Sequence, residues 1–236
     1  MSLPSEPAQA AVASGHPQRL PVARSRVRET WRWLWPDTAF RLVPFGAATY
    51  VYARFWGGGA AGVGLTAGSP PRDLLLGTII GAPLAALAVG FRRAVAPGYR
   101  LPTPADQLVQ TAFYLGLNAP IEELFWRGML QTLAIRGATA LLGAGAVASG
   151  AGWAITTAVF GAYHRLGHWS WRAIAGVTAA GGVFGLAYLL QPAPRSIWLP
   201  VVIHGLATAS FLSWGDAALD WWERRRGKRQ MSREAE

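Results

Sequence analysis

Glu122 and Glu123, followed by Arg127, are the residues of this chain with the clearest capacity for chemistry. They lie between apolar runs of the kind found in lipid, where an ionisable side chain is costly and is therefore a candidate for function. On a helix, Glu123 and Arg127 share a face and can form an ion pair. Glu122 is offset by about 100°, so one carboxylate could act as a base while the other orients it. A surface salt bridge at a helix end is the alternative.

Two histidines could join these carboxylates. His164 ends the apolar run 154–163, and His204 lies inside the apolar run 197–212. A histidine within a membrane span often marks a proton path, a cofactor site or catalysis. Thr208 is four residues after His204 and shares its helix face. The alternatives are an interfacial His164, a core His204 bonded to a backbone carbonyl, and a Thr208 hydroxyl bonded to its own helix.

This set of residue types suits peptide hydrolysis. A glutamate and a histidine can activate a water, and an imidazole can stabilise the oxyanion. No cofactor is required for that chemistry. Zinc is the alternative, because two histidines and a glutamate form a plausible catalytic set, and its ligands would be Glu122, His164 and His204. The chain lacks the His-Glu-x-x-His helix signature of many zinc proteases.

The composition indicates a membrane protein. Of the 236 residues, 52% are hydrophobic and 14% are charged, against about 25% charged in soluble domains. The net charge of +10 could suggest nucleic acid. However, the basic residues cluster at the ends of apolar spans, so the expected partner is the lipid bilayer and no nucleic-acid partner is predicted. With no cysteine, disulfides, thiol nucleophiles and thiolate metal sites are excluded.

The pattern predicts an all-α polytopic transmembrane helix bundle with about six spans, within a range of six to eight. The predicted spans are residues 38–56, 74–91, 106–135, 138–164, 171–190 and 196–214. The predicted domain organisation is a mobile basic tail at 1–36, a transmembrane domain at 37–216 with its motif core at 105–214, and a basic tail at 217–236.

Residues 106–135 are too long for one plain span, and Asn118-Ala119-Pro120 predicts a break. Asparagine is a good N-cap and proline is tolerated in a first turn. A helix beginning there would place the glutamate pair at its positive end. A site at that depth predicts a water-filled cavity, open to the cytoplasm.

The basic residues also predict an orientation. With six spans, most of the 22 Lys and Arg residues fall on the side of the two tails. This asymmetry favours both termini in the cytoplasm, in a membrane expected to be the bacterial cytoplasmic membrane. Arg41 and Arg54 lie near the ends of the first predicted span, where their side chains could snorkel to the interface.

Three motifs occur in order over residues 105–214: Glu-Glu-x-x-x-Arg at 122–127, Phe-x-x-x-His at 160–164 and an intramembrane His204. This set resembles the CAAX protease and bacteriocin-processing family, also called Abi or CPBP, which includes the type II CAAX prenyl endopeptidases. The last motif of that family normally reads His-x-x-x-Asn or His-x-x-x-Asp. Here Thr208 stands in its final position, as a possible oxyanion partner with one hydroxyl donor in place of an amide's two.

The resemblance implies an intramembrane endopeptidase that cuts a membrane-associated or lipidated protein substrate. Members were first described as metalloproteases and later as glutamate-dependent proteases. By analogy, Glu122 would activate a water with help from His164. Glu123 and Arg127 would hold the first motif in place, and His204 would stabilise the oxyanion.

Two other classes of function stay open at this stage. One is a non-catalytic membrane protein, such as an immunity factor or scaffold, that keeps the site as a binding pocket. Thr208, which stands where the family motif has Asn or Asp, supports this non-catalytic role. The other is a transporter in which glutamate and histidine relay protons.

Overall fold

The computed structural model describes residues 18–19, 27–66, 68–95, 98–99 and 103–234. Within them the regular structure is helical apart from one two-residue parallel strand pair, and turns and loops join the helices, which confirms the predicted all-α class. The strands are Gln18–Arg19 (β1) and Gly98–Tyr99 (β2). The first four helices are α1 (Val27–Asp37, π turn Thr38–Leu42, Val43–Phe55), α2 (Gly59–Gly62), α3 (Pro70–Val95) and α4 (Pro104–Phe113, π turn Tyr114–Asn118, Ala119–Glu123, π segment Leu124–Gln131, Thr132–Leu142). The others are α5 (Ala146–Tyr163, then 3-10 turn His164–Gly167), α6 (Trp171–Leu189), α7 (Trp198–Leu212) and α8 (Gly215–Glu234).

The helix α4 is continuous, so the predicted break at Asn118 is wrong. Asn118 has helical backbone angles and makes no capping hydrogen bond with its side chain. Pro120 removes one backbone donor, but the π turn directly before it already shifts the hydrogen-bond register by one residue. The glutamate pair therefore lies in the middle of a long helix and not at the positive end of a new one.

Three other predicted boundaries move. Residues 27–36, which were assigned to the tail, form the beginning of α1. Residues 138–142, assigned to the fourth span, end α4, because Gly143 and Gly145 adopt positive φ angles and separate it from α5. The residues assigned to the C-terminal tail continue in α8. Residues 1–17 and 20–26 of the predicted N-terminal tail lie outside the described residues.

Two helices, α3 and α6, are long and apolar enough to cross a membrane, and α7 is apolar but shorter. The outer surface of α3 exposes large apolar side chains, among them Leu74, Leu75, Ile79 and Leu87. A continuous apolar surface of this kind is suited to contact with lipid. The count of six spans stays a prediction.

Glycines bring α3 and α7 into close contact. Gly77 faces Val202, and Gly81 faces Ile203 and Leu206. Small residues at a helix crossing let the two backbones approach, which is the usual way that membrane helices pack. This crossing fixes the position of α7, and α7 carries His204.

Aromatic rings join α1 to α4 and α5. Phe45 on α1 stacks on Phe125 of α4, with ring centroids 3.9 Å apart. Trp126 of α4 meets Phe160 of α5 edge-to-face at 5.2 Å. These contacts hold the first helix against the glutamate-bearing segment of α4, so that residues of α1 face the candidate site.

Gly77→Ala should therefore destabilise the bundle. An added Cβ would lie 2.6 Å from the Val202 Cβ, and such overpacking typically costs about 1–3 kcal/mol. The matched control is Gly90→Ala on the same helix, where an added Cβ meets nothing within 4 Å and alanine favours the helix by up to about 1 kcal/mol. Thermal unfolding of the purified proteins in detergent measures both. Equal shifts for the two variants would contradict this packing.

Candidate active site

An ion pair within α4 anchors the site. The Glu123 Oε2 lies 3.1 Å from the Arg127 Nε, as the four-residue spacing predicted, and both side chains are 0% exposed. Arg127 also donates from Nη2 to the carbonyl oxygen of Gly181 on α6, at 3.0 Å. Its guanidinium faces the rings of Phe160 and Phe184. Arg127 is thus tied to α4 and α6 and lies against a ring of α5.

His204 bridges the two glutamates. Its Nδ1 lies 2.7 Å from the Glu123 Oε1, and its Nε2 lies 3.4 Å from the Glu122 Oε2. The imidazole stacks on the Phe184 ring, with centroids 4.6 Å apart. Ionised carboxylates only accept hydrogen bonds, and an imidazolium carries two N–H donors. The protonated ring therefore matches both neighbours at once.

Arg41 of α1 completes the polar cluster, although it was not among the predicted site residues. Its Nε and Nη2 each lie 2.6 Å from an oxygen of Asp37. Nη2 also donates to the Asn118 Oδ1 at 2.5 Å, and Nη1 forms an ion pair with the Glu122 Oε1. The prediction that Arg41 snorkels to the interface is wrong, because these acceptors draw its side chain inward. Asp37 four residues before Arg41 was the available signal.

The charges of the cluster balance when His204 is protonated. Three carboxylates then face three cations, and they are Asp37, Glu122, Glu123, Arg41, Arg127 and His204. Buried charges are retained only when they are paired and hydrogen-bonded. This pairing argues against a surface salt bridge as the role of the glutamates, since Glu122 is 5% exposed and Glu123 is fully buried.

His164 lies beside this cluster. Its Nδ1 is 2.8 Å from the carbonyl oxygen of Phe160. A carbonyl only accepts, so in the neutral ring the proton sits on Nδ1 and Nε2 is the acceptor. Arg41 and His204 act on the ring electrostatically, but no hydrogen bond or ion pair joins it to Glu122 within the described residues. The nearby His168 is exposed, in a left-handed turn.

Thr208 lies on α7, one turn after His204, and is partly buried. Its hydroxyl makes no hydrogen bond with another residue in the described part of the chain. The alternative in which it bonds its own helix is therefore not observed. Its predicted role as an oxyanion partner stays a prediction.

The side chains considered as zinc ligands do not fit a metal ion in their present positions. Among the described residues, no group of three or more His, Asp or Glu side chains is arranged to hold one. Of the set considered for zinc, Glu122 is paired with Arg41 and His164 is bonded to its own helix. His204 turns its Nδ1 to Glu123.

The site is nearly closed. Arg41 covers one oxygen of Glu122 and His204 faces the other, and His204 is 4% exposed. Two open grooves, of 540 and 360 Å³, have mainly apolar linings drawn largely from α1 and α4, and neither includes a predicted site residue. Neither groove is thus the predicted water-filled cavity.

Glycine carbonyls of α6 support the residues around the site. Arg127, Gln131 and Trp153 each donate a side-chain hydrogen bond to one of them, and the acceptors are Gly181, Gly185 and Gly182. An added Cβ at Gly181 or Gly185 would lie under 3 Å from a neighbouring side chain. The small residues of α6 therefore allow polar side chains to reach its backbone.

A helical bundle with exposed apolar helices and a buried cluster of carboxylates, arginines and histidine is a membrane protein with an internal site suited to acid–base chemistry. A family model described as type II CAAX prenyl endopeptidase Rce1-like matches residues 104–210. The match confirms the resemblance over this segment of the chain, which is similar to a family of membrane-embedded proteases. Neither a curated protein nor a solved structure matches the chain. Asp37 and Arg41 lie outside the matched segment.

Replacing Arg127 by leucine should strongly destabilise the protein. The change leaves Glu123 buried without its arginine, and breaking a buried pair typically costs about 3–5 kcal/mol. The control is Arg136→Leu on the same helix, where the side chain is exposed and makes one long hydrogen bond, so that a change within about 0.5 kcal/mol is expected. Unfolding in detergent measures both. Similar losses of stability in the two variants would show that the ion pair of Arg127 with Glu123 contributes no more to stability than an exposed arginine does.

Proposed function

We propose that this chain is an intramembrane endopeptidase in which Glu122 activates the attacking water. The observation that carries the proposal is the 3.4 Å approach of the Glu122 Oε2 to the His204 Nε2 inside a buried charge cluster. A carboxylate that can take a proton thus stands beside an N–H that can receive a developing negative charge. Peptide hydrolysis needs these two functions together.

The two oxygens of Glu122 have different surroundings. Arg41 holds Oε1, which leaves Oε2 as the base for a water that enters the site. As the water oxygen attacks the carbonyl carbon, its proton passes to Oε2. The carbonyl oxygen then carries the negative charge and accepts from the His204 Nε2. When the C–N bond breaks, Glu122 returns the proton to the leaving amine nitrogen.

Glu123 and Arg127 are positioning residues in this proposal. Glu123 accepts from the His204 Nδ1, so the imidazole is held with Nε2 toward Glu122. Arg127 in turn pairs with Glu123 and is bonded to α6. Second partners of this kind fix the tautomer and the orientation of a histidine ring.

His164 is proposed to assist Glu122 as a proton acceptor. Its Nε2 is free to accept because the Phe160 carbonyl engages Nδ1. The ring lies within electrostatic range of Arg41 and His204. It would meet the attacking water when the site opens.

The proposed substrate is a membrane-associated or lipidated protein, and prenylation is not assumed. An active site enclosed by apolar helices is reached most directly from the bilayer. The proposed location is the bacterial cytoplasmic membrane with both termini in the cytoplasm, since basic residues favour that side. No nucleic-acid partner is proposed.

A non-catalytic role is the second candidate, and the nearly closed site favours it. In that case the charge cluster would hold the helices together, and the protein would act as an immunity factor or scaffold. Biological activity would then survive the loss of the Glu122 carboxylate.

Glu122→Gln should abolish cleavage while the protein still accumulates in the membrane, because the amide cannot take the proton. The control is Glu223→Gln, which alters a partly exposed carboxylate paired with Arg93. Quantitative proteomics of membranes from cells with each variant measures the outcome. We expect uncut precursor to accumulate with Glu122→Gln and with His204→Ala, but not with Glu223→Gln. Normal processing with Glu122→Gln would refute the endopeptidase proposal and favour the second candidate.

No metal is proposed to take part, and zinc remains the alternative. The purified protein should contain zinc well below one equivalent and should keep its cleavage rate in a strong chelator, since Glu122 and His204 act without a metal. Elemental analysis and a chelator titration measure this. Activity that is lost to the chelator and restored by zinc alone would establish the metal mechanism instead.

A further inference from the structure

The oxyanion formed in the proposed reaction needs hydrogen-bond donors, and most donors of the cluster are already engaged. All three guanidinium nitrogens of Arg41 are bonded, to Asp37, Asn118 and Glu122. The Arg127 Nη1 has no hydrogen-bond partner among the residues that the structure describes, but it is fully enclosed. The His204 Nε2 is available because its contact with Glu122 is long.

Asn118 offers a second available donor. Its Oδ1 accepts from Arg41, and a guanidinium can only donate, so this contact fixes which end of the amide faces Arg41. The NH₂ group is the other end. Within the described part of the chain it has no hydrogen-bond partner, and it is not one of the fully enclosed unpartnered atoms. The residue is 3% exposed, so this donor is held inside the bundle.

The position of Asn118 places it next to the proposed base. It is one turn before Glu122 on α4, so the two residues share a helix face. Arg41 contacts both of them, through the Asn118 Oδ1 and the Glu122 Oε1. His204 faces the other oxygen of Glu122. Asn118 is therefore joined to one oxygen of Glu122 through Arg41, and His204 faces the other oxygen directly.

We propose that the Asn118 NH₂ group is a catalytic donor that binds the oxyanion together with the His204 Nε2. The inference rests on the proposed hydrolysis. No covalent bond of Asn118 changes: the carbonyl oxygen gains negative charge during attack, accepts from the amide, and loses that charge when the C–N bond breaks. Asn118 is the only asparagine of the chain, and its amide has two N–H donors where the Thr208 hydroxyl has one.

Asn118→Asp is the main test because it keeps an oxygen acceptor for Arg41 and removes both N–H donors. We expect kcat to fall about 10²–10³-fold, the usual cost of one oxyanion donor, with KM unchanged. Asn118→Leu removes the donors without adding a charge and should also lower kcat. Gln110→Glu is the matched control, because it makes the same amide-to-carboxylate change two turns earlier on α4, and it should keep kcat close to that of the unaltered protein. Thr208→Val removes the other candidate donor and should lower kcat less than Asn118→Leu does.

The probe is the precursor that accumulates uncut in Glu122→Gln membranes, presented to each variant in proteoliposomes, after equal accumulation and folding of the variants have been checked. Full kcat in both Asn118 variants, with cleavage still abolished in Glu122→Gln, would overturn the role of Asn118 alone. A large loss in Thr208→Val with none in Asn118→Leu would assign the donor to Thr208 and also overturn it. If no precursor accumulates with Glu122→Gln, the proposed hydrolysis itself is refuted, and this role with it.

Discussion

His204 on α7 lies between Glu122 and Glu123 on α4, and the geometry of the whole site depends on this contact. Charged groups in a low-dielectric interior are tolerated only when each has a partner. The His204 imidazole contacts both carboxylates at once. Arg41 also pairs with Glu122, and Arg127 also pairs with Glu123. A shift of α7 along α4 would leave carboxylates buried without partners, so charge pairing selects the register of the two helices.

Small residues make that register possible. Gly77 and Gly81 let α7 lie against α3, and Gly181 and Gly185 let arginine and glutamine side chains reach the backbone of α6. Packing of this kind supplies the attraction between membrane helices, where lipid removes most of the hydrophobic driving force. The site is thus held by close backbone approach on one side and by ion pairs on the other. The same ion pairs leave Glu122 only 5% exposed and His204 only 4% exposed.

The first helix, α1, also contributes contacts to the site. Arg41 binds Glu122 and Asn118 together, and aromatic contacts of Phe45 hold α1 in place. These residues lie outside the segment that matches the family model. In the proposed mechanism, Arg41 leaves Glu122 with one free oxygen and orients the Asn118 amide. In this mechanism, Arg41, which is remote in sequence, thus sets which Glu122 oxygen and which end of the Asn118 amide are available for reaction.

The sequence by itself determined what depends on local order: the helical class, the Glu123–Arg127 spacing, and residue types suited to hydrolysis. Side chains four residues apart meet on any helix, and composition needs no knowledge of contacts, so both can be read directly from the sequence. The prediction of a helix break at Asn118 was wrong because a π turn and tertiary packing overrode a local capping signal. Only the tertiary structure decided that His164 lies beside the charge cluster but bonds its own helix. It also decided that Arg41 faces Glu122 and that His204 bridges both glutamates. Those contacts join residues far apart in the chain, and burial, which forces charges to find partners, acts only once the helices are packed.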